Sequence, residues 1–457
     1  MKKTLSLLLA SAMVAGLIAG CGSAASSGTA SADAGSSAAG SSAAAAGATA
    51  AESKAAETSQ ASSQASSGAV KTLQVVWFSD GKENESFMEL ADEYMKLHPD
   101  IKIELVETPY ADLDSKLKNM VNGGQAPALA RMTNLGSFQN QLVDLGEYID
   151  KDKFIANFGS GLKFVYDDKV IAAPMDVTAN GVIYNKTAFD KAGVKVPQSE
   201  DEIWTWEEFE ADLQKVMENS DCKYGLVYDN TTQRFSTLLY EAGASFLNSD
   251  LTASNINTPE AARAVNYFKE LHDKGIIPTS VWLGSETPQD MFRSGQVAAH
   301  IGGSWQIANY KNSITDFEWG VTYLPKDKQR STVPGGKWLA AFKGSGVEKE
   351  AAEFIEWISQ PEQNAKYCEE NYYLSQVKGN ESLNYDYGSD FFKTFSQELA
   401  ATGTQPGAEW GFQAFTGAVG TDFKDGLADV LAGNTKTEDF LKSMDSEFTD
   451  TLADLKG

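Results

Sequence analysis

Cysteine and histidine are scarce in this 457-residue chain, with three of each. Cys21, Cys222 and Cys368 are too few and too far apart for a disulfide framework or a close-paired zinc site. His98, His272 and His300 are the only imidazoles, and none stands in a nucleophile-and-base motif. His98 precedes a proline at a helix end, His272 falls in a last helical turn where a cation suits the helix dipole, and His300 falls in an apolar strand. Phosphate-loop, dinucleotide and H-E-x-x-H patterns are all missing, so no metal and no cofactor is expected. Basic residues are outnumbered by acidic ones, 38 to 63, and the net charge of -25 repels nucleic acid and anionic lipid. The many acids leave one enzyme class open, glycoside hydrolysis, because its carboxylate pair is spatial and not sequential.

Residues 1–20 run from Lys2-Lys3 through an apolar stretch, Leu5 to Ile18, into small residues. This is the layout of a secretory signal peptide, too short for a stable bilayer span. Its end, Leu17-Ile18-Ala19-Gly20-Cys21, resembles the bacterial lipoprotein signal, which implies a lipid (diacylglyceryl and acyl, such as palmitate) on the Cys21 thiol. Two or more chains on one residue hold a protein at a membrane that it does not span. Residues 22–69 hold 33 Ala or Ser among 48 positions and no aromatic residue. Such a segment cannot bury enough apolar surface to offset the entropy of ordering, and 21–69 is expected to be a lipidated tether reaching about 40 Å. No later stretch approaches 18 apolar residues, so the lipid is the only membrane attachment expected.

The remaining 388 residues exceed what one hydrophobic core sustains, and two lobes are expected. Leu73 to Phe78 reads as a buried strand ending at Ser79-Asp80-Gly81. Phe87, Leu90, Ala91 and Tyr94 make a helical stripe that stops before His98-Pro99, and Ile101, Ile103 and Leu105 alternate as a strand. Thr205-Trp206-Glu207-Glu208 predicts a capping box with Phe209, Leu213, Val216 and Met217 as the apolar face behind it. Thr258-Pro259 opens another helix that stops near Gly275, and a third helix carries Ala351, Phe354, Ile355 and Ile358 and ends at Pro361. Strand-like runs occur at Val182 to Tyr184, Gly225 to Tyr228, Val297 to Ile301 and Trp319 to Leu324. Alternating helix and strand predicts an α/β class with helices on both sheet faces.

Val182-Ile183-Tyr184-Asn185-Lys186, continuing through Phe189, Ala192-Gly193 and Pro197 to Thr205-Trp206-Glu207-Glu208-Phe209, resembles the extracellular solute-binding proteins of ABC importers, in the sugar-binding branch that includes maltose-binding protein. Phe292-Arg293-Ser294-Gly295-Gln296-Val297-Ala298-Ala299 with Gly303-Ser304-Trp305, and Val333-Pro334-Gly335-Gly336 followed by Ala351 to Phe354, are similar to further stretches of that family in the same order. Pro127-Ala128-Leu129 departs from the usual Pro-Asp-aliphatic run. The resemblance implies a two-lobed periplasmic-binding-protein-like fold of type II with a hinge between lobes. It places the first lobe at 71–177 plus 340–375 and the second at 181–336 plus 376–457, with crossings near Met175 to Gly181 and near Lys337 to Ala341. It implies a non-enzymatic, monomeric carrier that passes a carbohydrate to ABC permease subunits at the outer face of the bacterial membrane. A polyamine or other small solute in the same fold is the next reading.

A sugar offers flat C–H faces and a rim of hydroxyls, so its site needs aromatic rings and paired polar groups. By the resemblance, Trp305 is the cleft tryptophan, with Gly302 and Gly303 letting the backbone turn sharply before it. Trp410 and Phe412 are expected in a Gly-rich cleft loop. Ser79, Asp80 and Lys82 occupy a polar contact loop, and Asp176, Thr178 and Asn180 lie at the first crossing, Asp176 being favoured for a pair of hydroxyls. Thr133, Asn134, Gly335, Gly336 and Trp338 complete the expected set. Trp77, Trp206, Trp319 and Trp357 fall in strand or helix patterns and are expected in the core.

Overall fold

The computed structural model describes residues 69–455 other than Asp80 and Ser160. The expected signal peptide, Cys21 and all of the tether but Ala69 lie outside the described residues.

Strand β1 (Lys71–Trp77) is the expected first strand, with Leu73, Val75, Val76 and Trp77 wholly buried. Its parallel neighbours are β2 (Ile101–Glu107) and β3 (Leu129–Met132), reached through the helices Glu83–Leu97 and Leu113–Asn122, as parallel strands require. The hairpin β4 (Val165–Tyr166) and β5 (Lys169–Val170) follows, then β6 (Ala173–Thr178), β7 (Asn180–Asn185), β8 (Tyr224–Tyr228), β9 (Val297–Gly303), β10 (Trp319–Thr322) and β11 (Gly335–Ala341).

Two main sheets result. The first has the order β2-β1-β3-β11-β6 and the second β10-β7-β9-β8. A single residue, Ala179, separates β6 in one sheet from β7 in the other. The return was expected near Lys337 to Ala341 and comes earlier, because β11 is already in the first sheet at Gly335, opposite Thr178. Gly336 allows this close pairing: a Cβ there would stand 2.3 Å from the Asp176 carbonyl oxygen. A third passage runs through 372–388, after which helix Ser389–Ala401 packs on β7 and β10.

The capping box is present, with Thr205 Oγ1 accepting from Glu208 N at 3.2 Å and Glu208 Oε2 accepting from Thr205 N at 2.8 Å. Thr258 caps the helix Pro259–Asp273, and Gly275 beyond it takes a left-handed φ of 69°. Pro361 departs from expectation. The helix Glu348–Ile358 ends before it, and Pro361 opens a new helix, Pro361–Asn371, where its missing N–H costs nothing. Trp77, Trp206 and Trp319 are buried, Trp357 packs partly buried against the core, and Cys222 and Cys368 are buried and unbridged. Among the described residues no helix is long and apolar enough to cross a membrane.

Candidate functional site

A cleft of about 470 Å³ lies between the two sheets, lined by residues of both. The first lobe supplies Phe78, Tyr110, Thr133, Asn134 and the start of β11; the second supplies Gln233, Trp305, Trp410 and Gln413. Five aromatic rings thus share one cavity, among them three indoles: Trp305, Trp338 and Trp410. A larger cavity of about 1000 Å³ adjoins it and shares Gly161 to Lys163, Pro334 and Gly407, but its walls carry no tryptophan.

Trp305 reaches the cleft by a different device from the expected sharp turn. Gly302 and Gly303 continue β9, pairing with Gly181 and Asn180. The indole folds back over Gly303, where a Cβ would lie 1.6 Å from the ring carbon Cζ3. Behind it the buried Arg234 guanidinium sits 4.8 Å from the ring centroid. Arg234 is held by Asp229 at 3.4 Å, and Asp229 accepts a hydrogen bond from or pairs with His300 at 2.9 Å. Burial alone would raise the Asp229 carboxyl, but His300 and Arg234 outweigh it and hold it below its usual range.

Trp410 and Phe412 stand at a helix junction and not in the Gly-rich loop expected. The helix Thr404–Gly411 forms because Pro406 lies in its first turn, where no donor is lost, and Gly407 and Gly411 pack against neighbouring chain at Gly161 and Lys163. Glu409 anchors it: its buried carboxylate accepts from the Tyr240 hydroxyl at 2.6 Å, from Leu247 N at 2.8 Å and from Gln405 Nε2 at 2.7 Å. Trp410 Nε1 donates to Ser236 Oγ at 3.1 Å, which fixes the ring on the cleft wall. Phe412 does not line the cleft; it stacks on Phe415, which is wholly buried, in the next helix.

The expected polar residues divide. Thr133, Asn134, Thr178, Gly335, Gly336 and Trp338 line the cleft. The Trp338 indole N–H is buried and has no protein acceptor. Asp176, expected to hold hydroxyls, is instead wholly buried, 4.0 Å from Arg131 Nη2 and 3.7 Å from Lys337 Nζ. Lys337 on the neighbouring strand β11 and Arg131 on β3 beyond it, which Glu83 also faces at 3.8 Å, engage its charge inside the lobe. Asn180 is also structural: its Nδ2 donates to Thr237 Oγ1 and its backbone N to Thr332 Oγ1, each at 2.7 Å, stapling the crossing to helix Thr232–Glu241. Ser79 and Lys82 are exposed and do not line the cleft, Lys82 pairing with Glu85 at 3.8 Å; Asp80 lies outside the described residues.

Sequence reasoning missed Phe78, Tyr110, Gln233 and Gln413. Phe78 reads as the last residue of a buried strand, whereas its ring meets Tyr110 at 5.1 Å on the cleft wall. Tyr110 gives the one usable signal, a large aromatic after Pro109 between strand and helix, and it is 60% exposed.

The model of bacterial extracellular solute-binding proteins matches residues 89–382. The chain belongs to this family. Its members are binding proteins that work outside the cytoplasm. A maltotriose-binding protein of Pyrococcus abyssi is 27% identical over 310 residues, 65% of this chain and 64% of the relative. Among solved structures, an ABC substrate-binding protein from Listeria monocytogenes in complex with cycloalternan is 25% identical, with a TM-score of 0.73 over 84% of this chain and 99% of that one. The cyclic alpha-maltosyl-1,6-maltose binding protein of Arthrobacter globiformis has the same fold, at 23% identity and TM-score 0.70 over 85% of this chain and 100% of its own. The two-lobed, hinged α/β architecture is therefore that of the ABC substrate-binding proteins.

Proposed function

We propose that the protein captures a sugar or oligosaccharide between its lobes and delivers it to the permease of an ABC importer. The observation that carries this reading is the ring set of the cleft: Tyr110, Trp305 and Trp410 present ring surface, Phe78 and Trp338 pack in the wall behind, and the amides of Asn134 and Gln233 stand beside them. The relatives named for maltotriose and cyclic oligosaccharides support it. Among the described residues no Asp or Glu lines the cleft. That weighs against a polyamine, whose ammonium groups want carboxylates, and against glycoside hydrolysis, which needs two carboxyl groups flanking the bond. The chain is proposed to act as a carrier without catalysis, as a monomer, tied to the outer face of the membrane by lipid on Cys21.

A thermal-shift screen of the purified protein against mono-, di- and oligosaccharides, polyamines and amino acids tests the ligand class. A ligand at 100 times its dissociation constant stabilises the fold by about 2.7 kcal/mol. Stabilisation by sugars alone is expected; stabilisation by a polyamine alone would replace the reading.

A further inference from the structure

Gln413 opens the helix Gln413–Leu431. That helix belongs to the second lobe: Phe423 packs 5.8 Å from Phe235, and Phe235 packs 5.3 Å from Phe268, which meets Tyr228 of β8. Yet the Gln413 side chain ends in the first lobe. Its Oε1 accepts from Leu135 N at 2.5 Å and from Gly136 N at 2.8 Å, and its Nε2 donates to the Thr133 carbonyl at 3.1 Å. These three main-chain groups belong to the loop that directly follows β3. One primary amide therefore satisfies them as a neighbouring strand would.

The loop is shaped for this contact. A Cβ on Gly136 would stand 2.9 Å from Gln413 Cβ and 3.2 Å from Ala414 N, so a side chain there displaces the junction. A second bond crosses at the same place, from the Tyr166 hydroxyl to the Gly411 carbonyl at 3.1 Å. Trp410 and Thr133, which line opposite walls of the cleft, are each within three residues of the contact.

We propose that Gln413 is a latch between the lobes, a positioning residue that holds the closed arrangement and so brings Trp410 and Thr133 to face each other. Its partners are on the opposite lobe, so its bonds form in the closed arrangement and are exchanged for water when the lobes part. An interaction made in one state only shifts the equilibrium toward that state. The bonds involve main chain and not ligand, so the latch acts on an empty cleft as well and populates the closed form before any ligand arrives. The inference rests on the binding reading above only for its effect on affinity.

The test places spin labels on Lys118→Cys in the first lobe and Asp429→Cys in the second, both exposed positions, and records the interlobe distance distribution of the ligand-free protein. A short-distance population is expected in the otherwise unchanged protein, and Gln413→Ala and Gly136→Ala should each deplete it about tenfold, with unfolding midpoints unchanged. Gln413→Glu keeps the acceptor and loses the donor, and should lie between. A ligand-free protein with no short-distance population, or variants that leave it intact, would overturn the latch. Gly136 does not line the cleft whereas Gln413 does. Affinity for a bound sugar that falls with Gln413→Ala but not with Gly136→Ala would therefore make Gln413 a ligand contact and also overturn it. If no sugar binds at all, the ligand-free distances still decide the latch while the carbohydrate reading fails.

Discussion

The buried guanidinium of Arg234 lies 4.8 Å from the centre of the Trp305 ring, and the Asp229 carboxylate pairs with that guanidinium at 3.4 Å. The ring at the cleft is thus backed by a fixed charge and not by loose packing, and Gly303 leaves free the space that the ring occupies beside β9. A ring held this way is ready to stack without losing further freedom, which is what an aromatic platform for a sugar requires.

Replacing Trp305 tests the platform directly. Trp305→Ala should cost on the order of 2 kcal/mol of binding, about 30-fold in dissociation constant, by analogy with truncated aromatic anchors. Gly303→Ala should mimic it, since the new methyl group takes the place of the ring. Titration calorimetry and denaturant unfolding on both variants check this. The unfolding free energy should change by less than the roughly 3 to 5 kcal/mol of an emptied core site.

Asp176 should behave in the opposite way. Its carboxylate balances Arg131 and Lys337 inside the first lobe. Asp176→Ala is expected to destabilise the fold by about 3 kcal/mol, because it removes the buried carboxylate that Arg131 and Lys337 share, Glu83 remaining 3.8 Å from Arg131. Chemical denaturation measures it, and a loss of affinity with unchanged stability would return Asp176 to the ligand site.

His272 sets part of the acid stability. Burial pushes its imidazole down to about 4 from 6.5, so the dipole role expected for a cation there does not apply at neutral pH. The folded form holds it neutral, with Nδ1 against the Phe268 carbonyl at 2.8 Å. Between pH 6.5 and 4 the unfolded chain binds the proton and the folded one does not, so this contribution is full above 6.5 and shrinks as pH falls. Relative to His272→Asn, the native protein should lose up to about 3 kcal/mol across that window. The difference between the two proteins is the quantity to measure, because Glu398, raised to about 7 by burial, titrates with the opposite sign over much of the same range.

The proposed lipid anchor is tested at Cys21. Cys21→Ala should release the protein from membranes or block its processing, as read by fractionation and mass spectrometry. Unlipidated native protein, fully secreted, would contradict the anchor.

Catalytic silence is expected of the cleft. The tightest-binding sugar should be recovered unchanged after long incubation, and shorter products abolished by one Asp or Glu substitution would bring hydrolysis forward.

Local chemistry determined a good deal of this protein. The capping box at Thr205, the proline that opens the helix at Pro259, the strand of Leu73 to Trp77 and the tryptophans of the core all follow from periodicity and backbone preference, which act over a few residues and are legible in order. Trp305 was legible as a cleft residue through the resemblance of Gly303-Ser304-Trp305 to the family's run, although the glycines continue β9 and make no turn. Tertiary structure decided what depends on partners distant in sequence. Asp176 looks like a ligand contact until β3 and β11 bring Arg131 and Lys337 beside it, 45 and 161 residues away in the chain. Trp410 gains its place from Ser236, and Gln413 its role from Leu135 and Gly136, which no pattern in the sequence connects to it. A buried charge or amide is assigned by whatever satisfies it, and only the packed lobes determine which groups those are.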